Sequence, residues 1–145
     1  MTPQARAEKS ARHMMASDAA SQSIGARLES IGPDHATLSM QVRADMLNGH
    51  GICHGGFIFM LADSAFAFAC NARNVMTVAQ SNQITFLAPG KPSERLSAKA
   101  REVASAGRSG TYDVTVTGED GRVVALFRGL SRQLGKPNFT ELDAS

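Results

Sequence analysis

The hydrophobic positions of this chain change period as it proceeds, and each change predicts an element. Thr2-Pro3 has the form of an N-cap with proline at the first helical position. Ala7, Ala11, Met14 and Met15 then mark the apolar stripe of a helix over about residues 3–16. Residues 17–23 are small and polar and predict a connector. From Gly25 to Val42 the pattern becomes that of two strands around Gly32-Pro33-Asp34-His35. Leu28 and Ile31 precede the turn, and Leu38, Met40 and Val42 alternate after it. A link, Arg43 to Leu47, leads to the glycine-rich loop Asn48-Gly49-His50-Gly51-Ile52-Cys53-His54-Gly55-Gly56. The run from Phe57 to Cys70 that follows is apolar on every side and is broken once, at Asp63-Ser64.

The remainder reads as β. A strand over 75–87 ends at Pro89-Gly90 and Pro92. Residues 95–103 form the next, with small Ala98 and Ala100 on one face where a helix can pack closely. After a turn at 105–110, Tyr112, Val114 and Val116 alternate with Asp113, Thr115 and Thr117. Glu119-Asp120-Gly121 then carries a hairpin into residues 122–134. Val123 to Phe127 are apolar on both faces, so one face covers the helix and the other needs a second cover, such as another subunit. Residues 136–145 have no period and are expected to fray. The sum is an α+β chain: about five or six antiparallel strands wrapped around one long central helix.

Length changes this picture little: 145 residues suit one domain with a real core. A net charge of +2, without a dense basic stripe or an aromatic ladder, argues against a nucleic-acid partner. The two cysteines, Cys53 and Cys70, do not make a disulfide framework, and a reduced cytosolic protein is expected. The N-terminal region lacks the apolar stretch and cleavage site of a signal peptide. Arg6, Lys9 and Arg12 have the basic character of a transit peptide, but Glu8 and the capping signal favour an ordinary helix. His13 on that helix is read as solvent-exposed.

The chemistry concentrates between Asn48 and Asn71. A helix with no polar face is a membrane span or the centre of a globular fold, and about 16 residues around a carboxylate fall short of the roughly 20 a span requires. Asp63 is therefore expected inside. Its same-face neighbours Phe59, Met60, Phe66 and Ala67 offer it no charge, so it needs a partner, a pocket or an altered proton affinity. At the helix start, glycines expose free backbone N–H groups and the positive end of the helix dipole, so His54-Gly55-Gly56 has the form of a seat for an oxyanion. Asp63 lies roughly 12 Å further along the helix at about 1.5 Å per residue. One helix cannot bring both to one reacting centre, whereas the donor of one subunit can face the carboxylate of another.

Gly49-x-Gly51-x-x-x-Gly55 is a relative of the dinucleotide fingerprint, but the parallel βαβ context is missing. His50-x-x-Cys53-His54 lacks the first cysteine of a haem attachment signal, and as a zinc site it needs a further ligand such as Asp45. Cys53 beside His54 suggests an activated thiol, though adjacent residues rarely aim at one another. Asp63 with Ser64 also fits the N-cap of a second helical segment after a break.

Asn48-x6-Gly55-x7-Asp63, with His54-Gly55-Gly56 opening a buried helix, resembles the hotdog-fold acyl-CoA thioesterases. The longer string from Leu47 to Asn71 is most similar to those of phenylacetate degradation. The resemblance covers nearly the whole chain. It implies a hotdog fold and metal-free hydrolysis of an acyl-CoA thioester of the phenylacetyl or hydroxyphenylacetyl type, with no cofactor. Position by position, it implies that the Gly55 N–H polarises the thioester carbonyl and that Asn48 and His54 orient the acyl thioester. Asp63 of the facing subunit acts as general base or as nucleophile, and Ser81 helps to hold the water. It also implies a homodimer with shared sites that pairs into a homotetramer. Arg108 in its glycine turn is a weak candidate for a CoA phosphate contact. Fatty acyl-CoA hydrolysis and acyl-CoA binding without catalysis are the alternatives.

Overall fold

The computed structural model describes residues 1–141, which are organised by the burial of one helix. The elements are α1 Pro3–Ser17, α2 Ala19–Ser23, β1 Arg27–Gly32, β2 His35–Gln41, α3 Gly55–Cys70, β3 Thr77–Phe86, β4 Arg95–Ala106, β5 Ser109–Thr117 and β6 Val123–Gln133. A single 3-10 turn, Ala44–Met46, precedes α3. The six strands form one antiparallel sheet in the order β1-β2-β4-β5-β6-β3. Every sheet pairing is antiparallel, which removes the context a dinucleotide fingerprint requires.

The sheet packs around α3, which touches β2, β4 and β5 most extensively and also meets β3 and β6. Small residues permit the close approach: Ala62, Ala65 and Ala69 on the helix and Ala98 and Ala100 on β4 are all buried. Large side chains fill the remaining space. Phe66 meets the rings of Tyr112 and Phe127 at centroid distances of 5.5 and 5.9 Å. The space beside Phe66 exists because residue 129 on β6 is glycine; a Cβ there would stand 2.8 Å from the Phe66 ring. In β6, Val124, Ala125 and Phe127 are buried while Leu126 and Leu130 are 48% and 41% exposed, so the strand does present an uncovered apolar face.

Three expectations are corrected. Residues 17–23 are not a bare connector: Asp18 Oδ1 accepts from the Ser21 backbone N–H at 2.9 Å and caps the short α2. Helix α3 runs unbroken through Asp63 and Ser64, so Asp63 caps nothing. The tail as far as residue 141 is tied down. The Lys136 carbonyl accepts from the Met76 N–H at 2.7 Å, and Asn74 Oδ1 accepts from the backbone of Asn138 and Phe139 at 3.0 and 3.1 Å. Arg6 grips Glu141 with two bonds of 2.6 and 3.2 Å. The last part of the expected fraying, 142–145, lies outside the described residues. At the other end α1 is capped as predicted, with Thr2 Oγ1 accepting from Ala5 N–H at 3.1 Å, and His13 is exposed.

Among the described residues no helix is long and apolar enough to cross a membrane. The dependence of the core on Gly129 is testable: Gly129→Ala should destabilise the fold by about 1–3 kcal/mol by overpacking against Phe66, read as a lower urea midpoint with an unchanged slope.

Candidate active site

The loop before α3 is folded by its own polar groups. Asn48 Oδ1 accepts from the backbone N–H of His50 at 2.9 Å and of Ile52 at 3.3 Å, and Gly51 takes the left-handed conformation the turn requires (φ +75°). Among the described residues the Asn48 amide Nδ2 has no acceptor, so it is free to donate. Backbone bonds from Cys53 N–H to the Gly90 carbonyl (2.9 Å) and from His54 N–H to the Met46 carbonyl (2.8 Å) seat the loop at the helix start.

His54 is the N-cap of α3. Its Nδ1 accepts from the Gly56 N–H at 2.9 Å, and its carbonyl accepts from Phe57 and Ile58. A ring nitrogen that accepts is unprotonated, which places the hydrogen of the neutral ring on Nε2, pointing away from the helix. Three of the four orphan N–H groups of the helix start are thereby satisfied. The fourth, Gly55 N–H, has no acceptor among the described residues and sits at the positive end of the helix dipole. Gly55 is also sterically fixed: a Cβ there would meet the Phe86 ring at 2.9 Å. The donor opens on a cleft of about 380 Å³ lined by Asn48, Ile52, Cys53, Gly55, Ile58, Phe86 and the segment 87–90. That volume and its mostly apolar wall suit a small organic group held by few polar contacts.

Asp63 stands two turns into α3, half-buried. Burial raises its carboxyl above the ordinary value near 3.8. A hydrogen bond from Asn82 Nδ2 to Oδ1, at 2.9 Å, opposes that rise, and the charge of Asp18 adds to it. Within one chain the Gly55 donor and the Asp63 carboxylate stay apart along the helix, by roughly 12 Å at about 1.5 Å per residue.

Asn48, His54 and Gly55 are therefore brought together, and Asp63 is not brought to them within the chain. Ser81 lies on β3, next to Asn82. It is exposed and pairs across the sheet with Leu130, whose side chain faces outward, whereas Asn82 pairs with Gly129 on the inner face. Asn82 is the residue that the sequence reading missed. Its parity with Ile84, which packs on the core, was the available signal. Arg108 is exposed on the β4–β5 turn and lines a small hollow with Cys70, Arg73 and Tyr112, at the opposite end of α3 from Gly55.

The thiol and metal readings find no geometry. Cys53 is buried, its Sγ lies 3.7 Å from the His54 carbonyl rather than beside an imidazole nitrogen, and burial pushes the thiol up to about 11. A nucleophilic cysteine needs the opposite shift. His54 Nδ1 is used in the helix cap and Asp45 is bonded to Arg43. Among the described residues no three His, Cys, Asp or Glu side chains are grouped to hold a metal ion.

The chain is similar to known proteins. The Thioesterase superfamily family model matches residues 50–125. The acyl-coenzyme A thioesterase PaaI of Escherichia coli K12 is 39% identical over 130 residues, covering 90% of this chain and 93% of its own. The solved structure of E. coli PaaI, from the phenylacetic acid degradation operon, superposes with a TM-score of 0.92 at 38% identity over 94% of this chain and 99% of that one. A Streptococcus mutans UA159 protein solved with acetyl-CoA superposes with a TM-score of 0.74 at 27% identity, over 77% and 90% of the two chains.

The raised proton affinity of Asp63 has a consequence for stability. The folded chain holds this proton more tightly than the unfolded chain, so stability falls as pH rises from the ordinary carboxyl range through the raised value, and stays lower above it. Asp63→Asn removes the titration, and the Asn82 amide can rotate to meet the new amide. The variant should melt above wild type at neutral pH, with the difference closing below about pH 4. Paired thermal melts across pH check this.

Proposed function

The chain belongs to the thioesterase superfamily and is a hotdog-fold thioester hydrolase, and from this we infer that it hydrolyses acyl-CoA esters of the phenylacetyl or hydroxyphenylacetyl type to the free acid and CoA. The observation that carries the reading is the Gly55 N–H, left without an acceptor where a helix dipole ends in an apolar cleft. Such a donor is matched to the charge that develops on a thioester carbonyl oxygen under attack. Phe86 and Ile58 in the cleft wall supply apolar surface for an aryl group.

In this mechanism the thioester oxygen accepts from Gly55 N–H, while Asn48 Nδ2–H and His54 Nε2–H orient the acyl thioester. Asp63 comes from the facing subunit of a homodimer. Acting as a base, it takes a proton from water as the water oxygen bonds to the carbonyl carbon. Collapse of the tetrahedral intermediate breaks the C–S bond, and the proton passes to the departing CoA sulfur. In the covalent route the carboxylate oxygen bonds to the carbonyl carbon, the C–S bond breaks and CoA leaves as the thiolate; water then cleaves the mixed anhydride, its OH going to the acyl group and its proton to the CoA sulfur, which frees Asp63. Both routes use a carboxylate whose proton affinity is raised by its surroundings, so that it is a stronger base than an exposed aspartate.

The subunit arrangement is supported by β3, which is an edge strand with Val78 45% exposed and can pair with a second copy. The outward Leu126 and Leu130 of β6 then suit a second contact that makes a homotetramer. The chain acts in this reading as one thioesterase domain in the cytosol, where its two buried thiols stay reduced, and Arg108 supplies a contact to a CoA phosphate.

Free-thiol release from phenylacetyl-, hydroxyphenylacetyl-, benzoyl- and fatty acyl-CoA, with EDTA present, tests this reading. Arylacetyl esters should be turned over fastest. Asp63→Asn should lose about 10²–10⁴-fold in kcat while retaining CoA binding, and Cys53→Ala should stay active. Preferred turnover of fatty acyl-CoA would reassign the substrate, and binding without any thiol release would make the protein a non-catalytic module. Sharing of the site is tested by mixing: Asp63→Asn and Asn48→Ala dimers, each inactive, should regain about a quarter of wild-type activity on subunit exchange, since half the dimers then carry one intact site of two.

A further inference from the structure

We propose that Asn82 is a positioning residue for the hydrolysis: its Nδ2–H, 2.9 Å from Asp63 Oδ1, ties down one carboxylate oxygen and leaves Oδ2 free to work. The inference rests on the reading of Asp63 as the reacting carboxylate.

The two buried asparagines Asn71 and Asn74 show what a structural asparagine looks like in this fold. Asn71 donates through Nδ2 to the carbonyls of Ala67 and Thr77, and its Oδ1 accepts from Thr77 N–H and from Asn138 Nδ2. Asn74 donates to the Phe139 carbonyl and accepts from the backbone of Asn138 and Phe139. Both ends of each amide are used, and each joins chain segments. Asn82 joins nothing else. Among the described residues its side chain makes the one bond to Asp63, and its Oδ1 is buried with no partner. A buried amide with an orphaned carbonyl is a poor device for stability, since an apolar residue of similar size leaves no polar atom unpaired. Rules broken in this way mark functional positions.

The placement is equally specific. Asn82 lies opposite Gly129 on β6, so no cross-strand side chain competes for its amide. Around Asp63, Asp18 at the head of α2 is the ionisable group whose charge reaches it, and that charge favours the protonated form, as burial does. On α3, Cys70 feels the Asp63 charge and is itself held protonated by burial. Asn82 is thus the polar group that favours the ionised form of Asp63 against both, and it does so while fixing the orientation of the carboxylate.

The experiment is the pH dependence of kcat and KM for wild type, Asn82→Leu, Asn82→Ala and Asp63→Asn, on whichever acyl-CoA the wild type turns over fastest. Leucine keeps the bulk without the donor, and alanine serves where leucine does not fit. Loss of a hydrogen bond to a charged group should move the acid limb of kcat up by about one to two pH units, with KM within about twofold of wild type. An unmoved acid limb in both Asn82 variants, beside an inactive Asp63→Asn, overturns the positioning role and leaves the reading of Asp63 standing. A lowered melting temperature with an unmoved limb counts the same way. Turnover retained by Asp63→Asn overturns the reading of Asp63 and this inference with it.

Discussion

The structure depends on the burial of α3, sixteen residues with no polar face. Such a helix must be covered on all sides, and one layer of sheet does so only by wrapping round it. From this follow the alanines on both sides of the β4 contact, the glycine opposite Phe66, and the concentration of large side chains on the inner face of β2, β4 and β5. It also follows that any polar group on the helix is conspicuous. Ser64 is bonded to Ser21, whose hydroxyl is bonded in turn to Asp18, so its burial is compensated through α2. Asp63 has Asn82 on one of its two oxygens, Oδ1.

Burial also puts the two ends of the helix under different demands. At the C-terminal end Asn71 satisfies carbonyl and strand together and leaves nothing over. At the N-terminal end His54 satisfies three donors and leaves the fourth. The difference is chemical: a histidine cap provides one ring acceptor and one carbonyl, and the first N–H of the helix points away from both. In the proposed reaction that residual donor would stabilise the charge on the thioester oxygen, and it would cost no reorganisation because the helix holds it in place beforehand.

Much of this was legible in the sequence because it is written in residue type and spacing. The N-cap at Thr2, the β1–β2 turn, the long apolar helix and the strand alternation through Tyr112, Val114 and Val116 depend on local rules, and the segment around Gly55 and Asp63 resembles the family closely. What escaped depends on a single cap or on partners distant in the chain. Helix α2 has five residues and no apolar period, and it forms because Asp18 caps it. The tail to Glu141 has no pattern of its own and is held by Asn74 and Arg6. That Asn82 meets Asp63 depends on a register shift in β3 between Ala79 and Ser81, which resets which residues face the helix.

The order of strands has a consequence for how the chain is made. Strand β3 follows α3 directly, yet its single neighbour in the sheet is β6, the last strand to be synthesised. While a nascent chain leaves the ribosome, the most apolar helix has only β1 and β2, with α1 and α2, to cover it, and the strand that carries Asn82 emerges before its sheet neighbour β6. The sheet around them is completed only when Gln133 has emerged. Any product cut short before β6 therefore leaves β3 without its sheet neighbour and α3 incompletely covered, an open strand edge beside apolar surface.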